Sequence, residues 1–310
     1  MKEIKIDKNS AEQRIDKYLI KKFNLPPSLI NKFLRKKIIK VNNGKVQNSY
    51  ILEVDDVIRL YLSDDLLSNK SQNKFFMKAS SDIEVIYEDD NFLFISKPIG
   101  IPTHYSKNFS ENLTDKAKKY LYKKNKLLIN DDYFSTFSPL NRLDTNTTGL
   151  VVFAKNRPAM LFFREMQREN KIHKFYLARI EGVLKNKSGK LENFYIKDNK
   201  TNKAEIFDRK TKDSVKVALE YREISQDQLS SIVEIKLLTG KSHQIRAQFA
   251  HIGHPLVADT KYNAKHIKNN YQKLTAYKIE FDFIDRKEFS YLSNKTISIP
   301  LKKSLRFLEA

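Results

Sequence analysis

The spacing of apolar residues changes character near residue 80. Before that point, Ile15 and Leu19, and then Leu29, Ile30, Phe33 and Leu34 after Pro26-Pro27-Ser28, recur at helical intervals. They predict two short helices, the second opening at a Ser28 cap behind the prolines. Ile39-Lys40-Val41 then runs into Asn42-Asn43-Gly44, and an Asn-Gly step between alternating residues predicts a hairpin. Val57-Ile58-Arg59-Leu60-Tyr61 alternates again and completes a small helix-plus-sheet unit over residues 1–62. Residues 63–81 mix Ser, Asn, Lys and Asp without periodicity and read as a linker.

From residue 82 to the end, strand patterns dominate. They are predicted over 84–88, 92–95, 150–154, 176–180 and 232–237, with helices at about 112–125 and 158–170. Several of these strands are separated by turns too short to hold a crossover helix, so the sheet is predicted to be mainly antiparallel and the fold class α+β. The polar stretch over 185–216, rich in Lys and Asn, reads as a surface excursion.

Composition narrows the function. The 310 residues are enough for two domains, and 40% hydrophobic with 31% charged residues is an ordinary globular balance. There is no cysteine, which excludes disulfides, thiolate catalysis and Cys-ligated zinc. The six His are scattered and the seven Gly form neither a GxGxxG nor a GxxxxGK run, so neither a metal nor a nucleotide cofactor is predicted. The amino terminus lacks an apolar signal core and no apolar run approaches a membrane span, which predicts a cytoplasmic protein. Lys plus Arg number 58 against 37 Asp plus Glu, a net charge of +21, and this favours a polyanionic partner, nucleic acid first. Residues 1–62 hold 14 basic and 7 acidic residues, so +7 of that charge lies there and +14 in the remainder. Lys32, Arg35, Lys36 and Lys37 crowd the second predicted helix, as a grip on phosphates or as a solvated face.

Three polar segments carry candidate chemistry. Asn141-Arg142-Leu143-Asp144, followed by Thr145-Asn146-Thr147-Thr148-Gly149, delivers a carboxylate directly into an apolar strand. His173-Lys174-Phe175-Tyr176 is a basic run ending in a tyrosine at a strand head, and Thr239-Gly240-Lys241-Ser242-His243-Gln244-Ile245-Arg246 is a polar cluster opening a helix, a natural anion site. Taken singly, such residues are more often a turn Asp, a strand Tyr and a surface Arg.

In this order they resemble the RluA family of RNA pseudouridine synthases, whose signature runs Arg-Leu-Asp, Thr-Ser-Gly, Lys-x-Tyr and Thr-Gly-Arg-x-His-Gln-Ile-Arg. Further matching features are Lys97-Pro98 with Gly100 and His104, and Gly253-His254-Pro255-Leu256 with Asp259 and Tyr262. The resemblance spans about 83–310. Residues 13–60 in turn resemble an S4 RNA-binding domain. The resemblance implies that Asp144 is the catalytic aspartate, Tyr176 the tyrosine that stacks on the base and Arg246 the partner of the aspartate. Arg142, Lys174, Lys241, His243 and Gln244 are then expected at the RNA, together with Lys32, Arg35, Lys36 and Lys37. Asn141 stands where the family usually has His, Thr148 where it has Ser, and Lys241 where it has Arg. The last change keeps a charge but loses a bidentate fork for phosphate. The implied activity is isomerisation of uridines in RNA by a monomer without cofactor, with large-subunit ribosomal RNA as the leading substrate. Transfer RNA, or a non-catalytic role in ribosome assembly, are the alternatives.

Overall fold

The computed structural model describes residues 1–23, 25–62, 75–125, 137–198, 201–265 and 271–309. The first unit has strands β1 (Lys2–Lys5), β2 (Ile39–Val41) and β3 (Val57–Leu60), and helices α1 (Ile15–Phe23) and α2 (Pro27–Arg35). Its antiparallel sheet runs β1-β3-β2. The apolar faces of the two helices meet that sheet in a core built on Ile15, Leu19, Phe33, Leu34, Ile39 and Ile58.

Two local expectations change in this unit. Helix α2 is capped by Pro26 rather than by Ser28, with no side-chain cap bond, because Pro27 already fixes the first turn. The hairpin reduces to its turn: Asn42 and Asn43 both take positive φ, 48° and 66°, and Val41 and Gly44 exchange backbone hydrogen bonds. No second strand follows. Strand β2 pairs with β3 instead, and the Asn42 amide fastens the turn to Asp56 at 2.7 Å and to the N–H of Val57 at 2.9 Å.

After the short helix α3 (Phe75–Lys78), the larger part holds β4 (Glu84–Glu88), β5 (Phe92–Lys97), α4 (Leu113–Lys123), β6 (Thr148–Ala154), α5 (Arg157–Arg168) and β7 (Ile172–Glu181). It continues with β8 (Ser188–Asp198), β9 (Lys203–Phe207), β10 (Val215–Gln226), β11 (Ser230–Leu237), α6 (Gln244–His251), β12 (Leu274–Phe281), β13 (Thr296–Ser298) and α7 (Leu301–Glu309). The strands form one ten-stranded sheet ordered β4-β5-β6-β12-β7-β11-β10-β8-β9, with β13 beside β12. Every pairing is antiparallel except β6 with β12.

Both faces of the central strands are covered, which is why they read as unbroken apolar runs. Along β5, Leu93 and Ile95 enter one core with Val151, Phe249 and Leu274, while Phe92 and Phe94 enter the other with Val152, Phe163 and Phe281. The mainly antiparallel α+β expectation is met. The surface excursion over 185–216 is not: this stretch holds β8, β9 and the start of β10, paired in full register. Within it only Asn193, Tyr195 and Ala204 are buried, so the outward polar residues hide the strands. Strand β7 also begins four residues before Tyr176 and places it mid-strand rather than at the head.

Candidate active site

The loop before β6 is fixed from several sides. Leu143 is buried in the core, and its backbone carbonyl accepts from the Thr103 hydroxyl at 2.9 Å. The carbonyl of Thr145 takes the N–H of Gly100 at 3.1 Å and the amine of Lys97 at 2.9 Å, and the N–H of Thr147 closes a turn onto the Asp144 carbonyl. Asn141 spans the strand start, donating to the Leu150 carbonyl and accepting from the Val152 N–H. Gly149 at φ +115° is a requirement of close approach, since a Cβ there would lie 2.1 Å from the carbonyl oxygen of Ala276 on β12.

Asp144 is thereby placed in a cavity of about 730 Å³, within the size range of small-ligand sites. Its side chain is 29% exposed, so the carboxylate is held but reachable. Arg246, on the first turn of α6, donates from Nη1 to Asp144 Oδ2 at 2.9 Å. The other side of the same guanidinium is engaged by Asp259, itself 1% exposed, through two bonds of 2.7 Å. Burial opposes the arginine's charge, but the two carboxylates outweigh it and hold its pKa above the ordinary value. At this separation the attraction between Arg246 and Asp144 is on the order of 5 kcal/mol at an effective dielectric of 20, before desolvation is subtracted.

Tyr176 lines the same cavity from β7, beside Leu237 of β11 and Leu274 of β12. Burial, and then the nearby Asp144 carboxylate, push its phenol well up, so the hydroxyl stays protonated. Its ring has no aromatic partner and its hydroxyl no hydrogen-bond partner among the described residues; the side chain is 8% exposed, packed in the core and bordering the cavity.

Of the residues expected at RNA, Arg142, Lys174, Lys241 and His243 all line this cavity, and Arg142 and Lys241 are exposed at it. Burial draws the Lys174 amine down to about 8. Gln244 also borders the cavity, but its bonds are made within the protein. It is 2% exposed, and its amide is spent on Thr239, the Lys241 N–H, the Ala218 carbonyl and Gln248. Lys32 and Arg35 line a separate groove of about 450 Å³ with Lys45, and Lys36 and Lys37 are exposed at the end of α2. No cluster of three or more His, Cys, Asp or Glu able to hold a metal occurs among the described residues.

Three residues that sequence reading left without a role belong to the site. Lys97 is wholly buried, and its amine donates to the carbonyls of Pro98, Ile101 and Thr145. Burial lowers its pKa to about 7, with Asp144 opposing. Asp259 and Tyr262 flank Arg246, the Tyr262 ring centroid lying 5.1 Å from the guanidinium carbon. All three were visible as matching letters, but their task depends on partners remote in sequence.

Comparison with known proteins agrees with this geometry. The family profile described as RNA pseudouridylate synthase matches residues 91–251. An RNA pseudouridine synthase of Mycoplasma capricolum is 31% identical over 299 residues, covering 94% of this chain and 95% of its own. A ribosomal large subunit pseudouridine synthase C of Buchnera aphidicola is 30% identical, covering 87% of this chain and 84% of its own. Among solved structures, the human RNA pseudouridylate synthase domain containing 4 protein shares the fold, with a TM-score of 0.56 at 19% identity over 73% of this chain and 93% of that one. The chain therefore belongs to the RNA pseudouridylate synthases, is of the RluA type, and is a pseudouridine synthase.

Proposed function

We propose that this enzyme isomerises uridines of large-subunit ribosomal RNA in the cytoplasm, turning the target nucleotide out of the RNA and into the cavity beside Asp144. The observation that carries the reading is a reachable carboxylate, paired with a buried arginine, in one cavity with a tyrosine that no other aromatic ring of the described residues stacks on. Stacking of a base on an aromatic face is worth about 1–3 kcal/mol, similar to the few kcal/mol that extruding a nucleotide costs. The relatives named as large-subunit synthases support the choice of substrate.

In the reaction the bond from N1 to C1′ breaks, the base turns, C5 bonds to C1′, and the proton on C5 is lost while N1 gains one. Asp144 serves at the sugar, as nucleophile at C1′ or as base at C2′. Arg246 pairs with it through the 2.9 Å bond to Oδ2. Tyr176 holds the detached base against the site, and its raised phenol suits it to relay a proton rather than to act as a phenolate base. The rearrangement is redox-neutral and needs no second substrate. The helix-and-sheet unit over residues 1–62 is the proposed S4-type RNA-binding domain, with Lys32, Arg35, Lys36 and Lys37 meeting phosphates.

The test uses RNA from cells lacking the gene, with pseudouridines mapped before and after incubation with enzyme. Wild type is expected to restore sites in large-subunit RNA. Asp144→Asn is expected to restore none while binding RNA with near wild-type affinity. Sites restored only in transfer RNA would overturn the substrate, and product from Asp144→Asn would overturn the mechanism.

A further inference from the structure

We propose that Tyr262 and His243 form a positioning pair that fixes the Asp144 carboxylate in one orientation, with Oδ2 held by the protein and Oδ1 presented to the nucleotide. This rests on Asp144 being the reactive group.

His243 occupies an unfavourable backbone conformation. It stands at the N-cap of α6 with φ +57°, the left-handed region, and its side chain makes no cap bond. Outside glycine, such a conformation persists where surrounding contacts impose it. The contacts are those of the ring. Nδ1 lies 3.0 Å from the Tyr262 hydroxyl, and Nε2 lies 3.6 Å from Asp144 Oδ2.

Hydrogen-bond accounting assigns the proton. The Tyr262 oxygen accepts the backbone N–H of Ala204 at 2.8 Å, so its own hydrogen is directed to the remaining partner, His243 Nδ1. With Nδ1 accepting, a neutral imidazole carries its hydrogen on Nε2, the nitrogen that faces the carboxylate. The imidazole is kept neutral by its surroundings. Burial lowers its pKa, Arg246 and Lys261 add to that, and Asp144 and Asp259 oppose it.

Arg246 Nη1 donates to the same Oδ2 at 2.9 Å. Oδ2 is thus bonded by Arg246 and faced by the His243 Nε2 donor at 3.6 Å, a polar contact longer than a hydrogen bond, and Oδ1 has no protein partner among the described residues. Tyr262 braces both donors, since it bonds His243 through its hydroxyl and lies against the Arg246 guanidinium with its ring. Its own place is set by the short 3-10 turn Thr260–Tyr262 that follows Asp259, the residue gripping Arg246 from behind.

The experiment compares His243→Asn, His243→Gln and Tyr262→Phe in single-turnover assays on RNA from cells lacking the gene. Asparagine tolerates the left-handed backbone but is too short to reach Asp144, whereas glutamine returns an amide N–H near the position of Nε2. His243→Asn is expected to slow turnover about three- to ten-fold, the loss of a polar contact to the carboxylate at 3.6 Å. The RNA concentration for half-saturation should stay within about three-fold of wild type, because binding is dominated by phosphate contacts made elsewhere. His243→Gln should recover most of the rate. Nitrogen-15 NMR of the His243 ring should find the hydrogen on Nε2 in wild type and a shifted tautomer population in Tyr262→Phe. Wild-type turnover by His243→Asn, no recovery by His243→Gln, or a wild-type ring carrying its hydrogen on Nδ1 would each overturn the pair; the last measurement holds even if the variants fail to fold. Asp144→Asn in the same assay separates the two readings. Product from that variant sinks the aspartate mechanism itself, whereas an inactive Asp144→Asn beside a fully active His243→Asn sinks only the positioning pair.

Discussion

Lys97 shows how a single side chain couples loop geometry to protonation. Its amine joins the end of β5 to the carbonyl of Thr145, the residue after Asp144, and so anchors the reactive loop. An ammonium has hydrogens for all three carbonyls, while a neutral amine has only two. With a folded pKa of about 7 against an ordinary 10.5, the folded protein binds fewer protons at this site than the unfolded chain between those values. The group's contribution to stability therefore increases as pH rises through that window. Lys97→Met takes the lysine donor from three carbonyls, of which Thr145 keeps the Gly100 N–H, and is expected to cost at least about 2 kcal/mol in urea unfolding. The gap between wild type and variant should widen from pH 7 to pH 9; a gap that does not change with pH would refute the buried titration. At this scale the sequence nominates Asp144, Tyr176 and Arg246 because their motifs occur in order, and the fold brings them to one cavity. The tasks of Lys97 and Asp259 are not legible there, because each is defined by partners that only the fold brings near, such as Thr145 for Lys97. Gln244 differs from them: it borders the cavity, yet its amide bonds Thr239, the Lys241 N–H, the Ala218 carbonyl and Gln248.

Among elements, those with continuous apolar runs could be located from sequence, since a strand buried on both faces needs no alternation to reveal it. Strands β8 and β9 read only as weak strands in a surface excursion, although the site leans on them. Asn193 of β8 accepts from Gln248 on α6, Tyr195 of β8 donates to the Ser242 carbonyl, and the Ala204 N–H of β9 bonds Tyr262. What reads as a polar excursion is thus the buttress behind the helix that carries Arg246. The parallel seam between β6 and β12 is similarly invisible from sequence, because its register is set by contact between the two backbones at Gly149 and Ala276. Gly149→Ala places a methyl within bonding distance of that backbone and also forces an unfavourable φ. The expected loss exceeds about 3 kcal/mol, with displacement of the Asp144 loop and loss of pseudouridine formation. A soluble Gly149→Ala protein with a wild-type thermal midpoint would show the seam to be looser than described.

Across the whole molecule, charge and geometry divide the work. The sequence announced a polyanionic partner through its +21 net charge but left open whether the basic helix grips phosphate or merely faces solvent. The fold adds position: Arg142, Lys174 and Lys241 line the Asp144 cavity, while Lys32 and Arg35 line a groove on the first unit. The two units meet where Arg157, at the start of α5, donates to the Glu12 carbonyl at 2.6 Å and its N–H reaches Asn9. A long RNA lying on both units would pair with charge at each, and only the contacts at the cavity would bear on the reacting nucleotide. Replacing Lys32, Arg35, Lys36 and Lys37 together by Gln should therefore weaken RNA binding and leave the single-turnover rate at saturating RNA unchanged. If each neutralises one phosphate, the slope of log affinity against log salt should become shallower by about 3, from a contribution of about 0.7–0.9 per contact. An unchanged slope would mean that this helix faces water, and that the enzyme holds its RNA through the larger part alone.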